Sequence, residues 1–322
     1  MFYYEADYEA AFISMLEAQG WQHIPGNSIP RTSQREVLYI DDMEQFLRKN
    51  SPDLSANDIH RIIDILRLFG AENDFAALSK IHSIIVNGLH FTTQNGQARI
   101  IPLIDFDHPH SNIFRSVTQL TVEYSDNART HTRRPDILLY VNGIPLCIIE
   151  LKNKVANATI IDAWEQIYIR YWRDIPHLLR YCPVACISDG MNTRLGTVRT
   201  PREHFYAWRR VSDKESSPVK ETECMIRGAL QPLRFLEILR DYVHFQDKEE
   251  RGIICRYPQF FAARLLRDSV VKSIKQNNSK GGTYFGATGC GKTLTMVFLV
   301  RQLAMRCEGI GSPTFVVIVD RV

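Results

Sequence analysis

The chain has 322 residues, 45% hydrophobic and 23% charged, with a formal net charge of +3 at pH 7. This length favours two domains, and the composition is ordinary for a soluble globular protein. No apolar run is long enough to span a bilayer, and the net charge alone does not indicate DNA binding. The N-terminus lacks a signal-peptide pattern and the seven cysteines are odd in number. We therefore expect a cytoplasmic protein with reduced thiols.

Apolar residues at helical spacing predict four helices in the first third of the chain, at 4–19, 42–49, 55–69 and 73–88. Ser55 and Asp58 have the spacing of a capping box at the start of the third helix. The following run, Ile113–Tyr124, alternates apolar and polar residues and predicts one strand that would pair with the next hairpin.

That hairpin, residues 134–152, is the segment around which the rest of the chain is organised. Its two β-rich runs flank Asn142-Gly143, a dipeptide that tolerates positive φ and is the strongest short-range hairpin signal. Side chains alternate across a strand, so Glu150 and Lys152 share one face, opposite the core face. A regular two-residue turn would place Asp136 opposite Ile149, away from Glu150. A three-residue loop with a glycine bulge would instead pair Asp136 with Glu150. We therefore predict that Gly143 lies in the left-handed region, or that Asp136 precedes the regular strand and turns inward.

Two carboxylates beside an ammonium group suit phosphodiester hydrolysis. Asp136 and Glu150 would hold Mg²⁺ through hard oxygen ligands, and Lys152 would orient or deprotonate the attacking water. The alternative is a surface hairpin with charges at its solvated end. The apolar neighbours of Glu150 favour the catalytic interpretation, because an unpaired carboxylate is costly to bury.

The elements after the hairpin are predicted to complete this domain. Residues 158–171 have helical periodicity, 184–188 read as a buried strand, and 230–245 read as a further helix. The charged stretch 246–252 is the predicted boundary, which gives domains at 1–245 and 246–322. Basic side chains on either side of the carboxylates would contact phosphates or remain solvated loop charges. They are Arg129, His131, Arg133, Arg134, Arg170 and Arg173.

A phosphate-binding motif follows in the second domain. Residues 286–293 match G-x-x-x-x-G-K-[ST], in which backbone N–H groups close around phosphate oxygens at a helix N-terminus. Lys292 would reach the β- and γ-phosphates and Thr293 would bind Mg²⁺. Its flanks predict a strand at 282–285, a helix at 293–305 and a buried parallel strand at 314–319. The residues assigned to ATP are Gly286, Thr288, Gly289, Cys290, Gly291, Lys292 and Thr293.

These motifs, in this order, resemble the PD-(D/E)xK nuclease core and the restriction (R) subunit of type I restriction-modification enzymes. The resemblance runs along nearly the whole chain. It rests on Glu5-Ala6-Asp7-Tyr8-Glu9, Gly20-Trp21, Pro135-Asp136, Glu150-Leu151-Lys152, Ile187-Ser188-Asp189-Gly190 and the phosphate-binding motif.

The resemblance implies an α/β fold in two parts. The first would be a restriction-endonuclease-like mixed-sheet core with flanking helices. The second would be a truncated RecA-like parallel α/β domain of a superfamily-two helicase. It also implies a Mg²⁺-dependent DNA endonuclease and ATP-driven translocase with double-stranded DNA, modification (methyltransferase) and specificity subunits as partners.

The resemblance also suggests further site residues. An N-terminal helix in such nucleases can add a glutamate beside the metal, and Glu9 is the nearest match. The family has Q-x-x-x-Y on the helix after the hairpin, where the two side chains help to hold DNA. Gln166 matches this pattern in part, and Tyr171 comes one residue late, so these two are the residues that the resemblance assigns to DNA binding. The segment before the motor helix resembles the adenine-reading segment of these helicases, with Gln259 as the amide that contacts the base and N-terminal capping as its alternative.

The sequence ends at Asp320-Arg321-Val322, before any Walker-B carboxylates. ATP hydrolysis needs such a carboxylate, so we expect ATPase activity only in a full-length subunit. Two competing functions remain open at this point. One is a repair or recombination helicase-nuclease without methyltransferase partners, and the other is a nucleotide-gated DNA-binding assembly module with an inert hairpin.

Overall fold

The computed structural model of the chain describes residues 5–69, 74–125, 129–152, 159–212, 220–278, 280–307, 310–311 and 313–318. It divides into two compact units, Met1–Ile254 and Cys255–Val322. Within the described ranges, no helix is both long enough and apolar enough to cross a membrane.

Twelve strands occur in the described residues, all of them in the first unit. They are β1 (Gln22–Pro25), β2 (Leu89–Thr92), β3 (Ala98–Ile101), β4 (Phe114–Thr118), β5 (Val122–Ser125), β6 (Thr130–Arg133), β7 (Ile137–Val141), β8 (Ile144–Leu151), β9 (Val184–Ser188), β10 (Thr193–Gly196), β11 (Val243–Gln246) and β12 (Arg251–Ile254).

The α-helices of the described part lie around these strands and in the second unit. They are α1 (Glu5–Glu17), α2 (Ile40–Asn50), α3 (Ala56–Leu68), α4 (Asp74–Asn87), α5 (Ile160–Glu165), α6 (Trp172–Asp174), α7 (Pro176–Leu179), α8 (Glu221–Gly228), α9 (Pro232–Glu237), α10 (Tyr257–Gln276) and α11 (Lys292–Arg306). Two π-helical segments, Gln166–Tyr171 and Ile238–Tyr242, continue α5 and α9.

The main sheet is mixed, as the family resemblance implied, with strand order β1-β4-β7-β8-β9-β10. β1 pairs with β4 and β8 pairs with β9 in parallel, whereas the other neighbours are antiparallel. β7 and β8 are central, and every residue in both strands is buried. Their nearly continuous apolar sequence is typical of strands that are covered on both faces.

Helix α1 is held against the end of β9. Tyr8 on α1 shares a hydrogen bond of 2.7 Å with Ser188, the last residue of β9, and one of 3.1 Å with Thr222 on α8. Ser188 is also the register partner of Leu151 at the end of β8. These contacts bring the N-terminal helix beside the C-terminal end of the central hairpin.

Three predicted elements of the first unit are wrong in part. The strand expected over 113–124 is two strands, because Gln119 takes a φ of +53° between β4 and β5 and directs the chain out of the main sheet. The helix expected over 230–245 becomes π-helical and ends at Tyr242, where β11 begins and pairs with β12. The stretch 246–252 is therefore the hairpin turn and the start of β12, and the units separate after Ile254.

The second unit differs more from its prediction. Its described residues contain α10 and α11 and no strand, although 282–285 and 314–319 were expected to be strands. Val316, Val317 and Ile318 are exposed. A parallel strand needs a hydrogen-bonding neighbour, and the described part of this unit offers none. Val319 lies outside the described residues.

The turn of the central hairpin makes a testable contribution to stability. Gly143 has a φ of +79°, its carbonyl accepts a 2.8 Å bond from Tyr39 N, and an added Cβ would collide with the backbone oxygen of Tyr39. We expect Gly143→Ala to lower the free energy of unfolding by about 3 kcal/mol, from left-handed backbone strain plus overpacking.

Gly96→Ala provides the matched control for that measurement. Gly96 also has a positive φ, of +78°, but nothing lies within 4 Å of an added Cβ. Chemical denaturation should show a loss of about 1 kcal/mol, from backbone strain alone. Equal losses for the two variants would contradict the steric role of the Tyr39 contact.

Candidate active site

A β-bulge aligns the two hairpin carboxylates. The turn has two residues, with Tyr140 paired to Pro145 and Val141 to Ile144. Farther from the turn, from Leu139 back to Ile137, the register is shifted by one residue. Continuing that register past Ile137 and Ile149 brings Asp136 level with Glu150. The three-residue loop considered for this hairpin does not form, because the extra residue lies within β8 instead of in the turn.

Both conditions that were predicted to bring Asp136 inward are present. Gly143 is left-handed, and Asp136 precedes β7, which begins at Ile137. Asp136 Oδ2 accepts a 2.7 Å hydrogen bond from Leu151 N. That bond ties the start of β7 to the end of β8 and fixes the first carboxylate beside the second.

Glu150 is completely buried and fully engaged by polar partners. Tyr171 Oη donates to Glu150 Oε1 at 2.8 Å and Gln166 Nε2 donates to Oε2 at 2.7 Å. Lys152 Nζ lies 3.4 Å from Oε2. Burial raises the pKa of Glu150 well above its usual range, and the negative charge of Asp136 raises it further, against the opposing effect of Lys152.

A π-helical turn explains why Tyr171 reaches the site in spite of its spacing. Gln166 and Tyr171 are five residues apart, which places them on different faces of a regular α-helix. The segment Gln166–Tyr171 is π-helical, with bonds from i to i+5, and Gln166 Nε2 donates to Tyr171 Oη at 2.7 Å. The wider turn accommodates the extra residue, so both side chains contact Glu150.

Glu9 and Gln119 extend the site on the side of Asp136. Gln119 Nε2 donates to Glu9 Oε2 at 2.5 Å and lies 3.5 Å from Asp136 Oδ1, while its backbone N donates to Asp136 O at 3.0 Å. Sequence reasoning missed Gln119. Its placement depends on the left-handed break after β4, and nothing in the alternating pattern of 113–124 indicates that break.

The donor set fits a hard divalent cation such as Mg²⁺. In the described parts of the chain, no three His, Cys, Asp or Glu side chains converge into a complete ligand set. Mg²⁺ usually needs only one or two protein carboxylates and takes water and phosphate as its other ligands. Asp136 and Glu150 supply two such carboxylates, and burial together with the charge of Asp136 raises the pKa of Glu150 in spite of the opposing effects of Lys152 and Tyr171.

Lys152 holds an ammonium group beside the two carboxylates. Its side chain is 14% exposed, and Nζ also donates to Leu151 O at 3.1 Å. The backbone N of Lys152 bonds to Ser188 O at 2.8 Å, which fixes the chain just after β8. A water or phosphate oxygen next to the carboxylates would therefore meet a positioned ammonium donor.

The phosphate-binding motif forms a loop at the start of α11. Gly289 and Gly291 have positive φ values of +78° and +84°, and Lys292 is the first residue of the helix. Lys292 Nζ donates to Gly286 O at 2.9 Å and Ala287 O at 3.0 Å, so the ammonium group lies across the loop. Thr288 and Thr293 are exposed, and Cys290 N donates to Ala287 O at 3.2 Å.

Gln259 contacts this loop from α10. Its Nε2 donates to Gly291 O at 3.1 Å, and its Oε1 accepts from Arg256 N at 2.8 Å. The amide thus caps the start of α10 and holds the loop at the same time. Both the oxygen and the nitrogen of the amide are hydrogen-bonded within the protein, and base recognition by Gln259 stays a prediction.

Comparisons with known proteins agree with both halves of the chain. The family model described as "Type I restriction enzyme R protein N terminus" matches residues 2–204, and the one described as "SWI2/SNF2 ATPase" matches residues 258–322.

Curated relatives cover the chain more fully. The HindI type I restriction enzyme endonuclease subunit of Haemophilus influenzae is 27% identical over 98% of this chain and 31% of its own length. The putative MjaIXP subunit of Methanocaldococcus jannaschii is 28% identical over 97% of this chain and 32% of its own. The EcoprrI subunit of Escherichia coli is 24% identical over 81% of each. The chain therefore spans about a third of the length of the first two relatives.

Proposed function

The chain belongs to the type I restriction enzyme R protein family, and we propose that its first unit is a Mg²⁺-dependent DNA endonuclease. The observation that carries this proposal is the environment of Glu150. A carboxylate with no exposed surface, hydrogen-bonded by Gln166 and Tyr171 and next to Asp136 and Lys152, is costly to maintain unless it binds something.

Each side chain has a defined part in the proposed reaction. Asp136 and Glu150 hold the cation, and Glu9 supports it from α1 through Gln119. Gln166 and Tyr171 fix the orientation of Glu150 and thereby the direction of its oxygens. When bound, Mg²⁺ would acidify the attacking water and stabilise negative charge on the phosphate. Lys152 donates to a phosphate oxygen or orients the water from the other side.

Cleavage of supercoiled plasmid tests the proposal directly. The chain should nick DNA with Mg²⁺ or Mn²⁺ and fail to do so in EDTA. Absence of nicking with either ion, at DNA concentrations where binding is measurable, would favour an inert hairpin in a DNA-binding module.

The second unit is proposed to be the start of an ATP-driven DNA translocase motor with a RecA-like fold. In support, the loop before α11 carries the glycines of a nucleotide site, the first turn of α11 carries Lys292 and Thr293, and the SWI2/SNF2 family model covers the same residues. The full subunit is proposed to join modification and specificity subunits on double-stranded DNA. Co-purification with such subunits would separate this function from a repair helicase-nuclease.

Nucleotide binding gives a quantitative prediction for the loop. Lys292→Ala should weaken binding of a fluorescent ATP analogue by about tenfold, because a charge-assisted contact to phosphate is worth about 1.4 kcal/mol or more. Lys275→Ala is the matched control, since Lys275 is an exposed lysine in the last turn of α10. Similar affinities for the two variants in a fluorescence titration would contradict a role for Lys292.

A further inference from the structure

A buried carboxylate beside the proposed nuclease site collects two arginines from different elements. The side chain of Asp174 has no exposed surface. Arg133 on β6 donates to its Oδ2 from Nε at 2.8 Å and from Nη2 at 2.6 Å. Arg173 donates from Nε to Oδ1 at 2.7 Å and from Nη2 to Oδ2 at 3.1 Å. The two guanidinium groups hold the pKa of Asp174 below its usual range.

One carboxylate cannot neutralise two guanidinium groups, so this arginine pair keeps an excess positive charge. The side chains of Arg133 and Arg173 are 39% and 65% exposed, which leaves both available to a ligand. His131 Nδ1 also lies 3.4 Å from Asp174 Oδ1. The exposed Arg134 follows directly in the chain.

Short stretches of chain connect the arginine pair, on β6 and α6, to residues of the proposed nuclease site. Arg133 comes three residues before Asp136, and three residues of extended chain span at most about 10 Å. Arg173 comes two residues after Tyr171, which donates to Glu150. A phosphodiester bound at Asp136 and Glu150 would therefore have its neighbours along the strand within reach of Arg133 and Arg173, since phosphates on one strand rise about 3.4 Å per nucleotide.

We propose that Arg133 and Arg173, fixed by Asp174, form a binding site for backbone phosphates next to the scissile phosphodiester of DNA. This inference rests on the proposed nuclease function and assigns it a substrate subsite. Guanidinium groups suit phosphate because their fork of donors matches its oxygens. Asp174 orders both side chains in advance, so less side-chain entropy is lost when DNA binds.

A purely structural role would leave a different experimental signature. The same ion pairs also tie the β5–β6 hairpin to α6, so removing an arginine lowers stability in either case. Only a phosphate contact changes the salt dependence of DNA affinity, because each neutralised phosphate contributes about 0.9 to the slope of log K against log[salt].

The test is a salt titration of DNA affinity with the whole 322-residue chain. Binding of a short fluorescent duplex is measured by anisotropy without divalent ions, between about 50 and 200 mM KCl. Arg133→Gln and Arg173→Gln should each reduce the slope by about 0.9, whereas Arg173→Lys should keep it. Arg48→Gln is the control, because Arg48 is a 54% exposed arginine on α2 that is also paired to a carboxylate, Glu44.

A salt-dependence slope equal to that of wild type in both glutamine variants would overturn the proposal. An equal reduction of the slope in Arg173→Lys and Arg173→Gln would overturn it as well. If Arg133→Gln does not fold, the slopes of the two Arg173 variants alone test the proposal. Plasmid nicking by the same wild-type preparation is measured separately. A chain that nicks DNA but shows unchanged slopes in the variants retains the nuclease proposal and loses this subsite, and a chain that never nicks loses the nuclease proposal itself.

Discussion

Asp136→Asn and Lys152→Ala should each reduce Mg²⁺-dependent DNA cleavage by about 10³-fold, within the range expected for loss of a metal ligand or a positioned proton-transfer group. The amide introduced by Asp136→Asn keeps an oxygen that can accept the bond from Leu151 N, so the hairpin end should stay closed while the negative charge is lost. Lys152→Ala removes the one ammonium group that lies against Glu150 in the described site.

The measurement is the initial rate of plasmid nicking, with thermal unfolding as a check on folding. Asp64→Asn and Lys49→Ala are matched controls, because both residues are exposed and lie on helices away from the carboxylate end of the hairpin. They should nick at the wild-type rate. Cleavage within about tenfold of wild type by Asp136→Asn, in a folded chain, would exclude Asp136 from the reaction.

The sequence was sufficient to identify the central hairpin and its charged end. Asn142-Gly143 specified the turn, and the apolar runs on both sides specified two fully buried strands. Glu150 is conspicuous in such a run because an ionised carboxylate is rarely buried without a partner. These signals are local, so they can be interpreted without knowledge of the tertiary structure.

The features that the sequence did not specify depend on backbone irregularities. The bulge in β8 aligns Asp136 with Glu150, the left-handed Gln119 breaks a pattern that predicts one strand, and the π-turn brings Tyr171 back to Gln166. Each inserts or redirects a single residue. Pro145 borders the bulge and is a sequence signal for it, because proline within a sheet is confined to edges, strand starts and bulges, whereas neither Gln119 nor the π-turn is marked by a glycine or proline. A periodicity argument assumes regular repeats, so it fails at such sites.

The second unit shows the same limit for a different reason. The phosphate-binding loop was predictable because its glycines and Lys292 form a contiguous motif. The strands predicted at 282–285 and 314–319 have no pairing partner in the described part of the unit, and apolar β-rich sequence alone does not form a strand.

Glu150→Gln should reduce the rate of DNA cleavage by about 10³-fold or more and should make the metal-free chain more stable. Burial and the charge of Asp136 raise the pKa of Glu150 in the folded chain well above its ordinary value of 4.5. The stability associated with the protonated group is therefore fully present below pH 4.5 and is lost as the pH rises through the folded-state pKa. The glutamine amide of the variant has no charge to bury, and the expected gain is about 1–2 kcal/mol at the alkaline end.

Thermal unfolding as a function of pH measures this effect. In EDTA, the melting temperature of Glu150→Gln should exceed that of wild type at pH 8, and the difference should shrink toward pH 5. Mg²⁺ should raise the melting temperature of wild type and have little effect on the variant, because ligand binding stabilises only the state that binds it. Glu17→Gln, at an exposed position on α1, should behave like wild type throughout. A variant that is less stable than wild type at pH 8 in EDTA would show that Glu150 is a structural group. A buried carboxylate that serves to bind a cation destabilises the fold until the cation binds, so replacing it with an uncharged amide should raise the stability of the metal-free chain.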